Sequence, residues 1–224
     1  MNYNAVLFDF DYTLGDSTVP ITIGYQRGFA AMGHPEPTME QVRPTIGHTL
    51  QDGYTMITGD TDEARRNEFR AHFQQAVGQK AIDAGDMTMI RETRFFPGAV
   101  ELLTALTEAG IPIGIVSTKM RATLEAIFNH REMGDLFTLI VGGEDVSKAK
   151  PDPQGLLWAL DRLNLTPQQV LFCGDTVIDA KTAQAAGCDF CAVLNGTTPA
   201  EAFGDYPSVH IAPDLDDLKS WLEL

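Results

Sequence analysis

From about residue 95 to the end of the chain, short unbroken apolar runs alternate with stretches whose apolar residues recur three and four apart. FPGAVELLTALTEAG has that helical spacing and stops at Gly110, a residue suited to a helix C-terminus. IPIGIVST reads as a short buried strand, MRATLEAIFNH as a helix and LFTLIVGG as a strand. DPQGLLWALDRLN sets Pro153 at a helix start, and QVLFCGD is again a strand. VIDAKTAQAAG is a helix ending at Gly187, DFCAVLNG a strand, and SVHIA and LDDLKSWLEL close the chain. With the opening run AVLFD, strands are expected at 5–9, 112–117, 138–141, 169–173 and 189–194. These runs are apolar at successive positions, as in a parallel sheet with helices on both faces, and the regular alternation favours an α/β fold over an antiparallel α+β one.

Residues 16 to about 90 break this pattern. They hold helical stretches (STVPITIGYQRGFAAMG, TMEQVRPTIG, DTDEARRNEFRAHFQQAVGQKAI) and no convincing strand. Thr38 and Gln41 fit a capping box, and Gly33-His34-Pro35-Glu36-Pro37 interrupts a helix. The expected organisation is a core of residues 1–15 and 90–224 carrying a helical insert, 16–89. An insert after the first strand sits at the carboxyl ends of the strands, where ligands bind in open α/β sheets.

A chain of 224 residues, 44% hydrophobic, has material for one large domain with a smaller insert. No apolar run approaches the length of a membrane span. Met1-Asn2-Tyr3-Asn4 lacks the positive region of a signal peptide, so a cytoplasmic protein is expected. A formal net charge of −15 repels nucleic acid and anionic membranes, and the densest basic pair, Arg65-Arg66, lies among acidic neighbours. Neither partner is expected. An anionic substrate must be received locally, by a metal ion, backbone N–H groups or a few placed lysines. The C-x-x-C of Cys188 and Cys191 reads as buried thiols within a strand, because no second cysteine pair or suitably spaced histidine accompanies it. Nothing in the sequence separates a monomer from a weak homodimer.

Polar residues at four strand ends carry the chemistry. The first strand ends in Asp9 and Asp11, whose side chains point the same way in extended backbone. IGIVSTK supplies Ser117, Thr118 and Lys119; KAKPDP supplies Lys150; GDTVID supplies Asp175 and Asp179. In a parallel sheet all these ends face one side. Two carboxylates 4 Å apart repel by about 4 kcal/mol at an effective dielectric near 20. Such a cluster persists by holding protons or by binding a hard cation, and oxygen ligands alone favour Mg²⁺. A pair of aspartates two apart suits phosphoryl transfer, one attacking phosphorus and the other moving protons.

The order of these segments, DFDYTL, IGIVS, KPDP and GDTVID, resembles the four motifs of the haloacid dehalogenase-like superfamily. FPGAVELLTALTEAGIPIGIVSTK is similar to its phosphoglycolate phosphatase-like branch. The resemblance implies a Rossmann-like three-layer parallel sheet with an inserted α-helical cap. It implies a Mg²⁺-dependent phosphatase of a small phosphorylated metabolite, with an aspartyl-phosphate on Asp9 and Asp11 as general acid/base. Ser117 would bind the phosphoryl group, and Lys150 would steady phosphate and nucleophile. Mg²⁺ would sit on Asp9, the Asp11 backbone carbonyl and Asp175, with Asp179 acting directly or through water. An acid at position 11 belongs with phosphoryl transfer and argues against dehalogenation, since halide leaves without a proton. Thr118 and, in the insert, Arg43 are further candidates for substrate contact; His48 and Gln51 share Arg43's stretch, VRPTIGHTLQDG. Two departures stand out: Tyr12 occupies a position usually held by glycine, and Thr118 follows Ser117 where many relatives place asparagine. Lys119 either adds a phosphate contact or sits at a helix start in solvent, and the second is the expectation. A phosphosugar mutase uses the same intermediate, and a phospho-ligand binding protein is a third reading.

Overall fold

A computed structural model describes residues 3–224; Met1 and Asn2, where the segment read for a signal peptide begins, lie outside the described residues. The chain forms two compact units, one of Phe95–Leu224 with the residues up to Gly15, the other Asp16–Arg94. The return crossing falls at 94/95, beyond the expected 89/90. Helix Thr88–Glu92 buries Met89 and Ile90, and the Thr93 hydroxyl lies 3.1 Å from that of Ser17, which ties this stretch to the insert.

In the first unit, six strands form one parallel sheet: β1 Ala5–Phe8, β2 Ile113–Val116, β3 Leu139–Val141, β4 Val170–Gly174, β5 Asp189–Val193 and β6 Ser208–Ala212. Their spatial order is β3-β2-β1-β4-β5-β6. Flanking helices include Ala99–Glu108, Arg121–His130, Gln154–Leu163 and Val177–Ala186. The central strand β1 is fully buried at all four residues, which is why its sequence is an unbroken apolar run. Leu7 packs in one cluster with Phe172 and Phe190 of neighbouring strands, Leu156 and Leu160 of one helix and Ala183 of another. The edge strand β6 instead alternates half-buried and exposed residues up to a buried Ala212, and the other edge, β3, leaves Leu139 and Ile140 half-buried.

Chain order reverses at the centre of this sheet. From β1 the chain builds outward through β2 and β3, then returns to place β4 on the other side of β1. Phe8 is in register with Ile115 of β2 and Cys173 of β4, so the three strands end level. Such a reversal leaves a crevice at the strand carboxyl ends. Cys173, Cys188 and Cys191 are free and buried.

The second unit is helical, including Thr18–Ala31, Leu50–Thr58 and Glu63–Ala76, around an aromatic core. The Phe69 ring lies 4.9 Å from that of Tyr25 and 5.4 Å from that of Tyr54. Thr38 and Gln41 form the capping box their spacing predicts. Among the described residues, no helix is long and apolar enough to cross a membrane.

Candidate active site

Asp9 is the first residue past β1, and its N–H donates to Cys173 O of β4 (2.9 Å), which fixes it at the reversal point. Asp175 follows β4 directly. Asp179 stands in the first turn of helix Val177–Ala186, closing a capping box with Thr176. Its Oδ2 accepts from the Thr176 hydroxyl (2.6 Å) and N–H (3.1 Å), which orients the carboxylate. One oxygen from each of these three buried aspartates lies within 4.8 Å of the others. Gly174 makes the approach possible, because a Cβ there would overlap Asp179.

Lys150 enters the cluster as its counter-charge. Its Nζ stands 2.9 Å from Asp9 Oδ2 and 2.6 Å from Asp179 Oδ1, with its side chain 5% exposed. Burial pulls the lysine's proton affinity down, but the Asp179 and Asp9 carboxylates outweigh it and hold the ammonium above its usual range. Burial, reinforced by Asp179 and Asp11 and opposed by Lys150, pushes Asp9 up to about 6. Asp175 is raised as well, by burial and then by Asp179 and Asp9, against Lys150 and the Thr13 hydroxyl.

Asp9 has two unlike oxygens. Oδ2 is engaged by Lys150, whereas Oδ1 is buried with no hydrogen-bond partner. A buried carboxylate oxygen without a partner is costly and calls for a ligand. Three carboxylates against one ammonium leave a formal charge of −3 + 1 = −2 in this buried space, which a divalent ion would neutralise. The donors are all oxygens, so the set fits a hard cation.

Asp11 stands apart from this trio. Its carboxylate accepts two hydrogen bonds from Lys119 Nζ, at 2.9 and 3.1 Å. The expectation that Lys119 lies in solvent is therefore wrong: its side chain is 8% exposed. Lys119 precedes helix Arg121–His130 rather than starting it, and the turn after β2 aims it at Asp11. Ser117, at the end of β2, is buried and donates its N–H to Val141 O (3.0 Å). Thr118 beside it is half-buried. Arg43 belongs to the other unit, exposed at the start of a short 3-10 helix, Arg43–Thr45.

Tyr12 takes a left-handed backbone, φ 61°, and its side chain is buried. It turns the chain sharply after Asp11, and the N–H groups of Thr13, Leu14 and Gly15 all converge on Phe10 O. Sequence reasoning missed three supports. Thr13, fully buried, donates its hydroxyl to Asp175 Oδ1 (3.2 Å). Asn195 Nδ2 donates to Thr13 O (3.0 Å), and Gly196 leaves room for Asp175, whose Oδ2 a Cβ there would overlap. A threonine held polar within DYTL was the available signal for the first; Asn195-Gly196 read only as the end of a strand.

A sequence profile of haloacid dehalogenase-like hydrolases matches residues 6–193. The phosphoglycolate phosphatase of Pseudomonas putida is 28% identical, over 97% of this chain and 78% of its own length. That of Escherichia coli K12 is also 28% identical, over 88% of this chain and 84% of its own. The crystal structure of a protein described as a haloacid dehalogenase-like hydrolase, from Bacteroides fragilis, superposes with a TM-score of 0.89 at 39% identity, covering 96% of this chain and 99% of that one.

Proposed function

The chain belongs to the haloacid dehalogenase-like hydrolase family, and from that membership we propose that it is a Mg²⁺-dependent phosphatase of small phosphorylated metabolites, phosphoglycolate foremost. The observation that carries this reading is the bare, buried Oδ1 of Asp9 at the centre of an all-oxygen acidic cluster.

Asp9, Asp175 and the Asp11 carbonyl would hold the ion, with Asp179 direct or through water. When bound, the ion supplies positive charge that draws a phosphate into an acidic protein. Asp9 attacks phosphorus in line and forms an aspartyl-phosphate as the bond to the leaving oxygen breaks. Asp11 gives its proton to that oxygen, then takes one from the water that cleaves the intermediate. Lys150 holds the nucleophile and offsets charge on the phosphoryl oxygens, and Ser117 binds one of them. The inserted unit would act as a substrate-selecting cap, with Arg43 among its contacts, from its place in the glycine-bearing stretch VRPTIGHTLQDG.

A panel of phosphorylated metabolites, with Mg²⁺ and with EDTA, tests the reading. Phosphate release that depends on Mg²⁺ is expected. Asp9→Asn should lower kcat by at least about 10³ while the circular dichroism spectrum is unchanged, and the wild-type enzyme should carry an acid-trapped phosphoryl group on Asp9 by mass spectrometry. Interconversion of hexose phosphates without phosphate release would replace hydrolysis by a mutase reaction.

A further inference from the structure

We propose that Lys119 is a positioning residue that holds the Asp11 carboxylate in place for proton transfer, acting through Asp11 and not on the phosphate. The inference rests on the phosphatase reading, which makes Asp11 the acid/base.

Geometry argues for it from both sides of the pair. Asp11 projects from a tight turn whose backbone is closed by Tyr12 N–H to Gly15 O (2.7 Å) and by the three N–H groups on Phe10 O. Lys119 projects from an equally fixed segment: its N–H donates to Ser117 Oγ (3.3 Å), and its carbonyl accepts from Gly143 N–H (3.0 Å). What remains free to move is the Asp11 side chain. The Lys119 ammonium engages both of its oxygens and lies 5.8 Å over the Phe10 ring, with 8% of the lysine and 9% of the aspartate side chain exposed. A buried ion pair is weak evidence for a gain in stability, because desolvation offsets the attraction. Its effect is on conformation: it selects the rotamer. Once Asp11 carries the proton for the leaving group, one oxygen becomes the donor and the other still accepts from Lys119, so the hold survives the protonation change.

A lysine that acted on phosphate would be needed whatever the leaving group. One that acts through Asp11 matters only where the leaving oxygen needs a proton. With the full chain in Mg²⁺ and enzyme in excess, first-turnover release of the leaving group is measured for p-nitrophenyl phosphate, whose nitrophenolate leaves unprotonated, and for phosphoglycolate, whose alkoxide does not. Lys119→Met should slow alcohol release by about 10- to 100-fold and nitrophenolate release by less than about threefold. Combined with Asp11→Asn, it should add nothing to the defect of Asp11→Asn alone, because the two residues act as a unit. Equal slowing on both substrates, multiplicative defects in the double variant, or a raised KM with unchanged kcat would overturn the proposal. Should Lys119→Met not fold, Lys119→Gln carries the same comparisons. A wild-type chain inert on both substrates, or an Asp11→Asn variant with normal alcohol release, would instead overturn the reading on which the inference rests.

Discussion

At the scale of single residues, Tyr12 sets two costs against each other. A side chain at φ 61° carries a backbone penalty of about 1–2 kcal/mol that glycine would not. The residue is 5% exposed, and losing a buried aromatic side chain costs about 3–5 kcal/mol. Packing wins. Tyr12→Gly, although glycine is the residue the family resemblance leads one to expect there, should destabilise the protein by about 2 kcal/mol in urea unfolding. A variant more stable than wild type would show that the ring contributes nothing. Gly196 shows the opposite economy, where a missing side chain serves the site. A Cβ there would press on Asp175 Oδ2 and on Tyr12 Cβ. Gly196→Ala should therefore weaken the activating effect of Mg²⁺, read as a higher half-saturating concentration, with the fold retained.

At the scale of elements, the site is an outcome of where strands stop and one helix starts. Asp9, Ser117 and Asp175 were legible in the sequence because each ends an apolar run, and parallel strands that end level must present those residues together. Asp179 was legible as a residue, but its aim depends on the cap. Thr176 donates to the carboxylate twice, from hydroxyl and N–H, and accepts from the Asp179 N–H. Thr176→Val should cost about 1 kcal/mol for the lost cap. It should also weaken the response to Mg²⁺, since Asp179 would keep only Lys150 and the backbone N–H of residue 176 to orient it. Stability lost with an unchanged Mg²⁺ response would separate the cap from the site. Periodicity reports which face of an element is buried, not where a side chain in a turn points. That is why Lys119 was misread, why Thr13 and Gly196 went unseen, and why the short helix Thr88–Glu92 blurred the boundary of the insert.

At the scale of the whole molecule, a chain of net charge −15 keeps three carboxylates together in its interior, and that has a measurable dependence on pH. Burial raises Asp9 from 3.8 to about 6, so between those values the folded chain keeps a proton that the unfolded chain releases. Stability from this group therefore grows as pH falls through about 6 and is complete below about 4; above 6 the ionised, buried Asp9 is a burden on the metal-free fold. Asp9→Asn removes that burden at neutral pH and has none to remove in acid. In EDTA, the variant should gain stability over wild type between pH 5 and pH 7.5, by about 1.4 kcal/mol. Asp175 titrates in the same direction and is raised in part by Asp9, so the comparison reads Asp9 together with its effect on Asp175. Mg²⁺ at about 100 times its dissociation constant should raise wild-type stability by about 2.7 kcal/mol at pH 7.5 and close the gap, because the ion replaces the proton as the charge partner. The experiment is a set of urea unfolding curves at the two pH values, with and without Mg²⁺. A gap independent of pH would show that Asp9 is not the titrating group, and an equal gain from Mg²⁺ in both proteins would place the ion elsewhere.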